Sequence, residues 1–191
     1  MEKTLMHTCC APCSVSCIKM LRQEGIEPVA YWYNPNIHPY QEYAARRDTL
    51  MGYAPSIGME LIVQEEYGLR RFCRAVADHI EDRCQTCYEM RLGQTARYAA
   101  EHGYDSFTST LFVSPYQNHE LLRETAERMA DLYRVRFLYR DFRPGFRAGQ
   151  SEARQLGFYM QKYCGCVFSE EERYEKKLRQ DMSEPEKHIV P

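Results

Sequence analysis

The chain has no apolar run approaching the roughly 18 residues of a membrane span, so a membrane-embedded role is not expected of it. It has no GxGxxG and no Walker sequence, which argues against a loop that cradles phosphates. It has no internal repeat and no low-complexity segment, so a solenoid or an array is not indicated. Net charge is only −2, so any surface for nucleic acid has to be local. The opening residues enter a strand pattern directly, without an apolar leader or a small-residue cleavage site. The expected location is therefore the cytoplasm. Cysteine is not scarce: the 191 residues contain nine. In a reducing compartment that number argues for metal or redox chemistry, not a disulfide framework. An odd count also leaves at least one thiol unpaired.

Length indicates one domain, and a hydrophobic content of 44 % is enough for a real core. Short apolar runs end near His7, Tyr33, Val63, Leu111 and Tyr139 and read as five strands. Helical patterns separate them: from about Ser14 to Gly25, from Tyr40 to Leu50 or beyond, from Tyr67 to Asp78, and from Cys84 to near Gly103. A further helix follows Gln117, where Leu122, Thr125, Met129 and Leu132 recur at helical spacing. A long loop is expected over Asp141–Gln150, then a helix with Leu156, Tyr159, Met160 and Tyr163 on one face. Strands alternating with helices predict an α/β fold: a parallel, Rossmann-like sheet covered by helices on both faces. Residues 1–168 form the expected catalytic domain, and 169–191 a charged helix and tail. Ligands of such sheets bind beyond the carboxyl ends of the strands. The loops after His7, at Asn34–Pro39, at Ser109–Gln117 and at Asp141–Phe146 should converge there.

The first of these loops carries His7-Thr8-Cys9-Cys10-Ala11-Pro12-Cys13. Free cysteine is often a small buried hydrophobe. That suits Cys17, one turn into the helix, better than an adjacent pair beside proline. Cys73, on a helix between arginines, reads as structural or unpaired. Cys84-x-x-Cys87 sits where a helix begins, so both thiols share a face and can reach one site. Alone, the C-x-x-C could be half a zinc site, a dithiol, or two ligands of an iron–sulfur cluster. Adding Cys9 and Cys10 makes a four-thiolate set. Zinc prefers two chelating knuckles with wider spacing. Adjacent cysteines are easier to place on different corners of a cube, which favours a 4Fe–4S cluster. Cys164-Gly165-Cys166 has the spacing of a strained, easily reduced disulfide. Two more metal ligands, or a tight turn with inert thiols, remain alternatives.

Five stretches in order resemble the epoxyqueuosine reductase family of the QueH type. They are His7–Cys13, Tyr33–Pro39 with Glu42 and Tyr43, Cys84–Tyr88 with Arg91-Leu92, Phe107–Gln117, and Gly157–Cys166. The resemblance extends to about Ser169. It implies a fold of the PP-loop type and the last step of queuosine synthesis, the reduction of epoxyqueuosine at the wobble position of tRNA. Two electrons and two protons are consumed and water is released. The implied substrate is a tRNA with a GUN-type anticodon, and an electron donor of unidentified nature is needed. Cys9, Cys10, Cys84 and Cys87 are the implied cluster ligands. Cys164 and Cys166 are the implied redox pair. Cys13 stands where a second, mononuclear iron is implied. Cobalamin has no counterpart.

A splayed nucleobase is read by stacking and by contacts to its edges. Tyr33, Asn34, Asn36, Tyr88, Arg91, Ser114, Tyr116 and Gln117 are the candidates for that role. Tyr33, His38, Tyr88, Tyr116 and Tyr163 are candidate proton donors, and His7 is expected to be structural. Six arginines between Arg134 and Arg154, Arg143 and Arg147 foremost, form a candidate phosphate stripe. Two rival readings remain: a zinc-stabilised RNA-binding module without catalysis, and a nucleotide-dependent sulfur-transfer or ligase-like enzyme.

Overall fold

The computed structural model describes residues 2–183. Five strands form one parallel sheet: β1 (Thr4–His7), β2 (Pro28–Trp32), β3 (Leu61–Val63), β4 (Ser106–Ser109) and β5 (Arg136–Phe137). Their order is β3-β2-β1-β4-β5. This is the expected Rossmann-like sheet. All four residues of β1 are buried, as befits a central strand covered on both faces. The helices are α1 (Ala11–Gln23), α2 (Tyr40–Ser56), α3 (Leu69–Val76), α4 (Arg83–Glu101), α5 (His119–Tyr133), α6 (Phe146–Gln155) and α7 (Val167–Ser183). α1 packs with α2 and α6, whereas α4 packs with α5 and α3. Right-handed crossovers put these two groups on opposite faces.

The strand order reverses between β1 and β4, and a ligand-binding crevice belongs at such a switch point. α1 begins three residues earlier than its apolar pattern indicates. Pro12 fits its first turn, where a missing N–H costs nothing. Cys10 is therefore the extended residue that caps α1, and Cys13 lies in the first turn. α1 stops at Gly25, whose φ of +77° suits glycine.

Several expectations need correction. Asp141–Gln150 is not one long loop: a 3₁₀ turn at Arg143–Gly145 leads into α6 at Phe146. The expected helix through Leu156, Tyr159, Met160 and Tyr163 does not exist. α6 ends at Gln155, and Gly157 with φ of +71° turns the chain away. Residues 158–166 are irregular. β4 ends at Ser109, and a 3₁₀ turn takes Thr110–Val113. On α5, Leu122, Thr125 and Met129 are buried but Leu132 faces solvent. α7 starts two residues before the expected boundary, and its first turns are docked: Phe168 lies near Phe72, and Glu172 pairs with Arg83. The expected tail, from 184 onward, lies outside the described residues.

Candidate active site

A cavity of about 970 Å³ opens beyond the carboxyl ends of the strands. Cys9, Cys13, Cys84, Cys87, Cys164 and Cys166 line it, six of the nine cysteines. Cys9 leaves β1 at the point where the strand order reverses. Its backbone N–H donates to Thr110 Oγ1 at 3.1 Å, and the Thr110 hydroxyl donates to its sulfur at 3.3 Å. Thr110 follows β4, so the two central strands jointly hold this thiol. The Cys9 and Cys10 sulfurs are 3.8 Å apart.

The ligand atoms of Cys9, Cys10 and Cys13 lie within 4.8 Å of one another, close enough to hold a metal ion. The compact group is thus this triad. Cys84 and Cys87 face the same cavity from the first turn of α4, outside that group. Without metal, the Cys10 and Cys13 thiols donate to Cys9 and hold it well below the usual thiol range. Burial pushes the Cys87 thiol up to about 12, against the pull of Arg91. Metal binding here must displace protons.

His7, Asn34 and Arg91 form a buried knot behind Cys87. The Arg91 guanidinium donates to Asn34 Oδ1 at 2.8 Å and to His7 Nε2 at 3.3 Å. His7 Nδ1 then donates to Ser109 Oγ at 2.9 Å, its partner across the β1–β4 ladder. Burial, and next the Arg91 charge, lower the His7 pKa to about 3, so the ring is neutral. Asn34 Nδ2 donates to the Thr8 carbonyl oxygen. Asn34 is committed within the protein, and both ring nitrogens of His7 are hydrogen-bonded there. Among the described residues no carboxylate pairs with Arg91. Burial acts to lower its pKa, but the Cys87 and Cys9 sulfurs hold it charged. A buried cation without a carboxylate calls for an anion beside it, and the sulfurs of Cys87 and Cys9 would supply it once deprotonated as metal ligands.

Three carboxamides each donate to a different sulfur: Asn36 to Cys87 at 3.2 Å, Gln117 to Cys164 at 3.3 Å and Gln161 to Cys13 at 3.4 Å. Asn36 Oδ1 and Gln161 Oε1 are buried without partners. Tyr88 donates to Gln117 Oε1 at 2.6 Å and lines the cavity. Its pKa is pushed up, first by burial and then by Cys84 and Cys87.

The irregular 158–166 segment is held by side chains. Arg46 donates to the Cys164 and Tyr163 carbonyl oxygens, and pairs with Glu42 at 2.6 Å. Tyr159 donates to the other Glu42 oxygen. The His38 N–H donates to the Gly165 carbonyl oxygen, and the Tyr163 hydroxyl donates to that of His38. Glu42 entered the sequence reading only as part of a family motif, and Arg46 not at all, because a pair four residues apart on a helix ordinarily reads as a solvated surface pair.

Of the other expected site residues, Ser114, Tyr116 and Arg147 line the cavity. Tyr116 is 85 % exposed, free to stack on a base. Tyr33 and Arg143 are not among the lining residues. The Tyr33 hydroxyl is taken by Glu66 and Arg71, and Arg143 forms a two-pronged pair with Asp141. The arginine stripe is not continuous either. Arg134 and Arg136 flank a separate groove beside β5, and Arg140 pairs with Glu24. Instead Arg147, Arg154, Lys162 and Arg173 meet at the cavity, and among the described residues none of them pairs with a carboxylate.

A sequence profile of epoxyqueuosine reductase QueH matches residues 4–172. The chain belongs to the epoxyqueuosine reductase QueH family. An epoxyqueuosine reductase QueH of Dehalococcoides mccartyi is 41 % identical over 174 residues, covering 91 % of this chain and 96 % of the relative. That of Thermotoga maritima is 34 % identical over 186 residues, covering 92 % and 94 %. A solved structure described as a predicted subunit of a tRNA methyltransferase from Methanocaldococcus jannaschii is similar in fold, with a TM-score of 0.55 and 14 % identity. It covers all of this chain and 93 % of that one. This epoxyqueuosine reductase QueH family member has no helix among its described residues long and apolar enough to cross a membrane.

Proposed function

We propose that this chain reduces epoxyqueuosine to queuosine at the wobble position of tRNA with a GUN-type anticodon, in the cytoplasm. Family membership across residues 4–172 carries this reading. We assign Cys9, Cys10, Cys84 and Cys87 to one 4Fe–4S cluster, and Cys13 to a neighbouring mononuclear iron. The donor set fits such a group. Arg91 is a buried cation lacking a carboxylate, and amide N–H groups point at the sulfurs, as anionic thiolate ligands require. When bound, the mononuclear iron would polarise the epoxide oxygen, and the cluster would relay electrons.

The protein's own groups supply the rest. Tyr88, oriented by Gln117, faces the cavity as proton donor. Asn36 Oδ1 and Gln161 Oε1 accept from the hydroxyl groups of the modified base. Tyr116 stacks on a splayed base. Arg147, Arg154, Lys162 and Arg173 receive backbone phosphates. Cys164 and Cys166 supply two electrons together, passing from dithiol to disulfide, while the two protons and the oxygen leave as water. We assign residues 1–168 to the catalytic domain, against which the first turns of α7 are docked through Phe168 and Glu172.

The experiment is conversion of an anticodon stem-loop carrying epoxyqueuosine by anaerobically purified protein with a low-potential reductant, read by mass spectrometry of digested RNA. Queuosine is expected. Absence of product from protein with full iron and sulfide content overturns the reading. The close Cys9, Cys10 and Cys13 triad supports a second reading, a single zinc ion in an RNA-binding module. Zinc has no redox chemistry. One zinc per chain and no absorption near ~400 nm would favour it over a cluster.

A further inference from the structure

The two thiols of Cys164-Gly165-Cys166 have unlike surroundings. Cys164 is exposed, and Cys166 is buried. Cys164 receives only a neutral amide N–H, from Gln117. Cys166 lies beside the Arg83 guanidinium. Both groups line the same cavity. Arg83 Nη1 donates to the Ile80 carbonyl oxygen and Nη2 pairs with Glu172 at 2.5 Å. Its buried Nε has no hydrogen-bond partner. The backbone between the two sulfurs is anchored. His38 holds the Gly165 carbonyl, Ser169 accepts from the Gly165 N–H, and Arg46 holds the Cys164 carbonyl. The pair therefore keeps one sulfur toward solvent and the other toward a charge.

We propose that the oxidised pair is reset by an external dithiol reductant that attacks Cys164 and expels the Cys166 sulfur beside Arg83. The inference rests on the reading that this pair cycles between dithiol and disulfide. A thiolate of the reductant forms a bond to Cys164 Sγ, the Cys164–Cys166 bond breaks, and the electron pair leaves on Cys166 Sγ. The reductant's second thiol then attacks its own sulfur in the mixed disulfide, releasing Cys164 and closing the reductant's disulfide. Two electrons and two protons have then moved from the dithiol to the pair. Exchange rates depend on access to the attacked sulfur and on how well the leaving sulfur carries charge. Access favours Cys164 as the target here, and Arg83 stands beside the sulfur that is then expelled. Attack on Cys166 would have to reach a buried atom.

The test uses metal-loaded full-length protein oxidised at this pair, verified by the loss of two hydrogens in intact mass and by resistance of both cysteines to alkylation. It is mixed with glutathione as the probe and quenched with N-ethylmaleimide, and the peptide spanning 163–173 is read by mass spectrometry. Glutathione on Cys164 with maleimide on Cys166 is expected, at least ten-fold over the reverse. The reverse pattern, or an equal mixture, overturns the inference while leaving the redox pair intact. Failure to form the disulfide under oxidant overturns both. In a second arm, Arg83→Gln should slow reduction by dithiothreitol several-fold and Arg83→Lys should restore it. Equal rates in both variants and the parent remove Arg83 from the step.

Discussion

Arg46 donates from Nη1 to the carbonyl oxygen of Cys164 at 2.8 Å, joining α2 to a residue 118 positions later. The guanidinium is 2 % exposed and its partner Glu42 is 6 % exposed. Residues 158–166 have no regular hydrogen bonding of their own, so this contact and those of His38 and Tyr159 set where Cys164 and Cys166 lie.

Arg46→Ala should lower the unfolding free energy by about 3–5 kcal/mol, because Glu42 is left buried and unpaired. Urea denaturation checks this. Arg46→Lys keeps a charge but not the fork to two carbonyls, so stability should recover in part while Cys164 alkylates faster than in the parent. An unchanged midpoint in Arg46→Ala would show that water replaces the guanidinium.

Cys10→Ala and Cys84→Ala should each lose iron and sulfide, since either removes one ligand of the proposed cluster. Cys164→Ser and Cys166→Ser should keep both yet lose multiple-turnover conversion. Elemental analysis with product assays on the same preparations separates these outcomes. Full metal content in Cys84→Ala would confine the metal to the Cys9, Cys10 and Cys13 triad.

Replacing Arg147 and Arg154 together by Ala should weaken binding of the anticodon stem-loop. It should also reduce the slope of log affinity against log salt by about 1–2. Arg143→Ala is the control and should leave the slope alone, because its guanidinium already serves Asp141. Fluorescence anisotropy at several salt concentrations reads both. A slope change in Arg143→Ala alone would move the RNA track to the 3₁₀ turn.

The His38 ring is buried against Phe72 and Tyr67, and its Nε2 donates to the Pro35 carbonyl oxygen at 3.1 Å. Burial lowers its pKa to about 4 from 6.5. Between those values the unfolded chain binds a proton that the folded chain does not. Stability should therefore fall as pH drops from 6.5 towards 4, by up to about 1.4 kcal/mol per pH unit for this group. His38→Phe should flatten that slope. Denaturant midpoints from pH 7 to pH 4 give the answer, and parallel curves for parent and variant would contradict it.

The parallel sheet was legible because buried strands are short apolar runs and turn residues punctuate them. The helix expected to carry Leu156, Tyr159, Met160 and Tyr163 on one face misled for a related reason. Aromatics at helical spacing there pack on α2 and on the Asn34–Pro39 loop, not along a helix face, and Gly157 had already ended α6. Arg143 and Tyr33 looked like ligand-binding residues because their types suit RNA. Whether a guanidinium or a hydroxyl is free depends on neighbours that are distant in sequence, such as Glu66 for Tyr33.

The sequence by itself determined the chemistry available: nine thiols in spacings suited to metal or redox work, and a fold that gathers loops at one edge of a sheet. Those properties are local, set by residue type, spacing and hydrophobic period. Tertiary structure alone decided which groups are spent and which are free. It commits Asn34 to Arg91 and Thr8, hides Cys166 while exposing Cys164, and leaves Arg147, Arg154, Lys162 and Arg173 facing the cavity without carboxylate partners among the described residues. The reason is that burial and pairing come from contacts between segments far apart in the chain, which no local pattern encodes.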